Sequence, residues 1–117
     1  MDTRPAKDPK DLSRFFVERA NDGDLDGLMA LYEPRALLAG PEGRVFLGAD
    51  AIRDFYGQFL ATRPKLHPGQ QREPVVEGEL ALTSTRLVDG TVTVEIARRQ
   101  EDGTWRWVID HPFAAIQ

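Results

Sequence analysis

The chain has 117 residues, a formal net charge of -4, 29% charged side chains and no cysteine. This length fits one domain around one core, and the lack of cysteine excludes disulfides, thiolate catalysis and cysteine metal sites. Acidic and basic residues are interspersed, no apolar run is long enough to cross a bilayer, and the polar start MDTRPAKDPK lacks the apolar centre of a signal peptide. The expectation is therefore a soluble, cytoplasmic protein that binds neither nucleic acid nor membrane.

Residues 1 to 8 are polar, contain Pro5 and read as a flexible arm, with a single domain over 9 to 117. Pro9 suits the first turn of a helix, and Leu12, Phe15, Phe16 and Ala20 form an apolar stripe with Arg14, Glu18 and Arg19 outside it. The spacing predicts a helix over 9 to 21. Asn21-Asp22-Gly23 breaks it. Asp24 can cap a second short helix that carries Leu25, Leu28, Met29 and Tyr32 on one side and stops at Pro34. Ala36 to Ala39 and Val45 to Leu47 flank the turn Gly40-Pro41-Glu42-Gly43 and predict a small hairpin.

Gly48 opens a third helix with Ile52, Phe55, Tyr56, Phe59 and Leu60 at helical spacing, ending near Arg63-Pro64. From Gln70 the period changes to two, which predicts strands near 71 to 77, 79 to 88, 91 to 100 and 104 to 111. Helices first and an antiparallel sheet after them make an α+β layout in which the helices cover one face of the sheet.

The last two strands meet at Asp102-Gly103, a strong hairpin signal. With those two as the turn, Gln100 faces Trp105, Arg98 faces Trp107, Ile96 faces Ile109 and Glu95 faces Asp110. One side of the hairpin then carries Val92, Val94, Ile96, Trp105, Trp107 and Ile109. The other carries Thr93, Glu95, Ala97, Arg99, Arg106, Val108 and Asp110. Two carboxylates directly opposite each other destabilise a sheet unless they stay solvated or share a pocket in which one is protonated. The residues alone leave both readings open.

Asp22, Asp24, Asp26, Gly27 and Glu33 satisfy the calcium-loop template D-x-D-x-D-G-x5-E. Pro34 follows where an EF-hand continues into helix, so calcium at Asp22 to Glu33 is a minor alternative, and the expected metal set is none. His67 and His111, the only histidines, are too few for a zinc site on their own, and no cofactor fingerprint appears.

The stretches FFVERANDGDLDGLMALYEPRALLAGP, VFLGADAIRDFYGQFL and RRQEDGTWRWVIDHPF, in this order, resemble the nuclear transport factor 2-like superfamily and its SnoaL-like polyketide cyclase and ketosteroid isomerase-like members. The resemblance implies three helices packed in a curved, mainly antiparallel sheet, a cone of cystatin-like fold with an apolar pocket, and a homodimer through the convex sheet face. The Glu95 and Asp110 face would look into the pocket. Val94, Ile96, Trp105, Trp107 and Ile109 would look toward a second subunit. Phe16, Tyr56, Phe55, Val108 and Ala97 would line the pocket around a small apolar molecule. Tyr32 and Tyr56 match pocket tyrosines of the steroid isomerases, and Glu95 matches their protonated acid, a case known in detail for that enzyme. Their oxyanion tyrosine is replaced by Phe16 and their general-base aspartate by Gly40, so steroid isomerisation is not expected. What remains is isomerisation, cyclisation or dehydration with Asp110 as base, Glu95 as protonated acid and Tyr32 as hydrogen-bond donor. The reading from a different class is a ligand-sensing or assembly module without catalysis.

Overall fold

The computed structural model describes residues 1 to 115, with the side chains of 1 to 112. Helix α1 spans Pro9–Asn21, as its stripe predicts. Asp8 caps it through a capping box: the Asp8 carboxylate accepts from the Lys10 amide at 2.9 Å, and the Asp11 carboxylate accepts from the Asp8 amide at 3.2 Å. Helix α2, Leu25–Met29, is a single turn capped by Asp24, whose carboxylate takes the Gly27 amide at 2.9 Å. Tyr32 does not end α2. It opens strand β1, Tyr32–Ala39, which pairs antiparallel with β2, Val45–Leu47, across a 3-10 turn at Pro41–Gly43. Helix α3, Ala49–Ala61, starts after Gly48, whose φ of 89° suits glycine, and buries Ile52 and Tyr56.

The expected strand over 71 to 77 is divided. Pro74 has no amide to donate to a ladder, and the run splits into β3, Gln70–Gln71, and β4, Val75–Glu77. Both lie against β5, Leu80–Arg86, at opposite ends of that strand. Then come β6, Val92–Arg99, and β7, Trp105–Ala115. The sheet runs β2-β1-β7-β6-β5-β3, with β4 beside β5, and every pairing is antiparallel except β1 with β7.

The β6–β7 hairpin differs from its expected register at its loop, at a bulge near its middle and again at its far end, where Val92 faces Ala115. The loop is not the pair Asp102-Gly103 but the triplet Glu101-Asp102-Gly103: the Gln100 amide donates to the Thr104 carbonyl at 2.7 Å, and Gly103 sits at φ 85°. A three-residue loop closed by a left-handed glycine moves the register by one residue relative to a two-residue turn. Arg99 therefore faces Trp105, and Ala97 faces Trp107. A β-bulge at Val108 then restores the original count, so that Ile96 faces Ile109 and Glu95 faces Asp110 as expected.

This pair of offsets corrects the placement of Trp105 and Trp107. A shift of one residue sends side chains to the opposite face, and both indoles lie inside, 7% and 3% exposed, instead of on the convex face. The acids lie inside as well, Glu95 and Asp110 each at 5%. Both groups share the inner side of the sheet with Ala97, Thr83 and Thr93.

Arg19, expected outside the stripe of α1, is 1% exposed. Its guanidinium donates to the carbonyls of Gly27 at 2.8 Å and Arg4 at 2.5 Å and pairs with Asp2 at 3.2 Å. Residues 1 to 8 thus run along the body of the domain, with Ala6 buried and its carbonyl accepting from the Trp105 amide at 2.8 Å. Among the described residues no helix is long and apolar enough to cross a membrane.

Candidate functional site

The centre of the inner face is a row of three side chains contributed by neighbouring strands. Asp110 on β7 faces Glu95 on β6, and Glu95 faces Thr83 on β5. The Thr83 hydroxyl donates to Glu95 at 2.7 Å. Tyr32, at the start of β1, reaches Asp110 because β1 runs parallel beside β7, and its hydroxyl donates to the Asp110 carboxylate at 2.5 Å. Tyr56, projecting from α3, places its hydroxyl 2.9 Å from that of Tyr32. Since the Tyr32 proton goes to Asp110, Tyr56 is the donor to Tyr32, and the three groups form a relay from helix to sheet.

Burial dominates the electrostatics here. It raises the Asp110 carboxyl to about 7, with the neighbouring Glu95 charge adding to the rise and the Tyr32 and Tyr56 hydroxyls opposing it. Glu95 is raised by the same desolvation, against the pull of Thr93 and Thr83. Two carboxyls this close titrate as one unit that holds a proton more firmly than an exposed acid does. Tyr32 and Tyr56 are pushed well above the ordinary phenol range by burial and by the Asp110 charge, so they stay protonated and act as donors.

Aromatic rings enclose this network on the helix side. Phe16 stands edge-on to Tyr56 at 5.6 Å and to Trp107 at 5.9 Å, and Trp107 lies 5.2 Å from Tyr32. Phe55 packs 5.3 Å from Tyr56 and 4.8 Å from Phe46. An apolar wall around carboxyls keeps their effective dielectric low, which is the cause of the raised pKa values. Of the expected pocket residues, Phe16 and Phe55 therefore meet at Tyr56, whose hydroxyl joins that of Tyr32. Ala97 is fully buried opposite Trp107, while Val108 is the half-buried bulge residue.

Three contributors were invisible to the pattern of residues. Thr83 reads as an ordinary strand residue until β5 is paired with β6. Trp107 was assigned to the wrong side, although the Glu-Asp-Gly tip was the available signal for a three-residue loop. Phe46 lies in a strand too short to show a period.

The residues of the calcium template point to separate tasks. Asp24 caps α2, Asp26 pairs with Arg53, and Glu33 sits on β1 bound to Arg98 at 3.0 Å and Gln100 at 2.8 Å. Among the described residues no three acids or histidines converge as a metal would need.

Residues 13 to 114 match the family described as the SnoaL-like domain. The chain belongs to the SnoaL-like domain family. A candidate calcium/calmodulin-dependent protein kinase type II association domain from Thiobacillus denitrificans superimposes on this SnoaL-like domain with a TM-score of 0.76 at 15% identity, covering 95% of this chain and 96% of that one. A ketosteroid isomerase-like protein from Erwinia carotovora atroseptica gives 0.68 at 15% identity, covering 87% and 89%. A candidate dehydratase of the nuclear transport factor 2-like family from Streptomyces avermitilis gives 0.69 at 19%, covering 91% and 94%. At these identities the likeness is one of fold, and it is the nuclear transport factor 2-like, cystatin-like fold that the resemblance implied. No curated protein matches the chain.

Proposed function

We infer that this SnoaL-like domain binds a small, largely apolar molecule and moves a proton on it, in a reaction of the isomerase, dehydratase or cyclase class. The observation that carries the reading is Asp110: a buried carboxyl pushed up to about 7, held by the Tyr32 hydroxyl at 2.5 Å and facing Glu95. A base that ionises near neutral pH is poised to take a proton and return it. Glu95 holds the second carboxyl of the pair, so one acid carries a proton while the other is free to accept one. Tyr32 supports the charge on Asp110, and Tyr56 supports Tyr32 in turn, so the ionised base is stabilised as it forms. The kinship with ketosteroid isomerase-like and dehydratase-named folds fits this class of chemistry.

The test uses a simple ketone. Exchange of the α-hydrogens of 2-tetralone in deuterated water, followed by proton NMR, reads proton abstraction directly. The wild-type chain is expected to accelerate it, and Asp110→Asn to lower the acceleration by about 10²–10⁴-fold while 2-tetralone still binds. An exchange rate that Asp110→Asn leaves unaltered rules out the catalytic reading.

A second reading, a ligand-sensing or assembly module, is favoured by the likeness to a protein named as an association domain. The outer face of the sheet supports assembly of either kind. Leu47, Leu37, Ile109, Ile96, Leu82 and Val75 stand side by side on six neighbouring strands, a ridge roughly 24 Å long at ordinary strand spacing. Ile109 is 39% and Leu82 45% exposed in the single chain. A ridge of this length is more than scattered surface leucines and suits a second copy of this chain. The dimer face is therefore this ridge with Val94, and it excludes the two tryptophans.

A further inference from the structure

The inner face carries polar groups that the proton-transfer network does not use. One row beyond Thr83 and Glu95, Gln71 on β3 faces Thr85 on β5, and Thr85 faces Thr93 on β6. Thr85 is 3% exposed, yet its hydroxyl has no hydrogen-bond partner among the described residues, and neither has the buried Nε2 of Gln71. An inner-face hydroxyl and a carboxamide left unpaired side by side are costly unless something else completes them. Thr93 has a different task, since its hydroxyl leans on Glu95.

We propose that Gln71 and Thr85 form a hydrogen-bonding subsite for a second oxygen of the ligand, on the same face as Asp110 and Glu95. This deepens the proton-transfer reading and rests on it. The chemistry of the subsite defines what it takes. Its groups are neutral, a carboxamide donor and a hydroxyl, so they suit a carbonyl, hydroxyl or ether oxygen. The two acids one row away would repel an anion. From Asp110 to Thr85 the sheet steps two strands sideways, from β7 to β5, and one row along, a separation of roughly 12 Å, about the span of three fused rings with an oxygen at each end. The ligand class is thus a neutral, mostly apolar molecule with oxygen functions at both ends, one presented to Asp110 and the other to Gln71 and Thr85. A purely hydrocarbon-bodied ketone would satisfy only the first.

Paired probes test this. 2-Hydroxyanthracene carries one oxygen, and 2,6-dihydroxyanthracene carries a second at the far end of the same frame. By calorimetric titration the wild-type chain is expected to prefer the diol by about tenfold. Thr85→Val and Gln71→Leu should each bring that preference close to one while 2-hydroxyanthracene binds as before. Thr85→Val should also melt at or above the wild-type temperature, because it replaces an unpaired buried hydroxyl with a methyl group. Equal affinity of the wild type for both probes, or an unchanged ratio in both variants, overturns the subsite and leaves the proton-transfer reading intact. A lower melting temperature of Thr85→Val with an unchanged ratio shows a structural hydroxyl and overturns it as well. If neither probe binds, the pocket reading fails together with the subsite.

Discussion

Trp107 and Asp110 lie three positions apart on β7 and still face the same interior, because the bulge at Val108 falls between them. In a regular strand an odd spacing puts two side chains on opposite faces. Here it brings an indole and a carboxyl together around Tyr32, which touches both.

Deleting Val108 should therefore undo the site without removing any of its residues. With the bulge gone, either Trp105 and Trp107 or Asp110 must turn outward. We expect a chain that loses its cooperative thermal transition and binds a hydrophobic dye such as ANS, as partly folded states do. A Val108 deletion that melts like the wild type would show that the bulge does not set the two faces.

Stability should fall as pH rises through the neutral range. The Asp110 carboxyl is raised from 3.8 to about 7 in the folded chain, so between these values the folded state binds a proton that the unfolded state has lost. The stabilisation is complete below pH 4 and vanishes as pH passes 7, with a magnitude on the order of 4 kcal/mol. Urea denaturation at pH 4 and pH 8 measures it, and Asp110→Asn should flatten the difference. Equal midpoints in the wild type at both pH values would contradict a buried, protonated Asp110.

Tyr32→Phe removes the hydroxyl that donates to Asp110 and accepts from Tyr56. It should cost about 1–3 kcal/mol, because the partners stay buried and lose a bond. It should also move the Asp110 titration further upward, since the lost donor favoured the ionised form. Carboxyl carbon NMR of Asp110 follows that shift. A downward movement would mean that Tyr32 serves the protonated acid instead.

Charge placed on the outer ridge should separate subunits. Leu82→Glu and Ile109→Glu each put a carboxylate into the row, at positions already open to solvent in one chain, so the fold should persist. Sedimentation velocity is expected to show a wild-type dimer and monomeric variants. A wild type that sediments as a monomer throughout removes the proposed pairing.

How much of this was legible from the residues depended on how local the cause was. The bounds of α1 follow from Pro9, the Asp8 cap and the stripe through Ala20, all within one helix, and they emerged as read. The facing of Glu95 and Asp110 was also legible, because two errors of one residue each, in the loop and at the bulge, cancel at that pair. The tryptophans lie between the two offsets and came out on the wrong face. Tyr32 was read as helical because its i-4 neighbour Leu28 is apolar, and the parallel strand that claims it lies at the far end of the sequence. Arg19 looked like a solvated residue, and only the arm, with the Arg4 carbonyl and Asp2, explains how its charge is buried.

The bond between Tyr32 and Asp110 links positions 78 residues apart, across the parallel seam between β1 and β7. Such closures are slow, since loop entropy opposes them until the intervening chain is in place. A chain that has emerged from the ribosome only as far as β6 owns the helices, Tyr32, Tyr56 and Glu95, but the facing acid pair and the tyrosine bonds to it wait for β7.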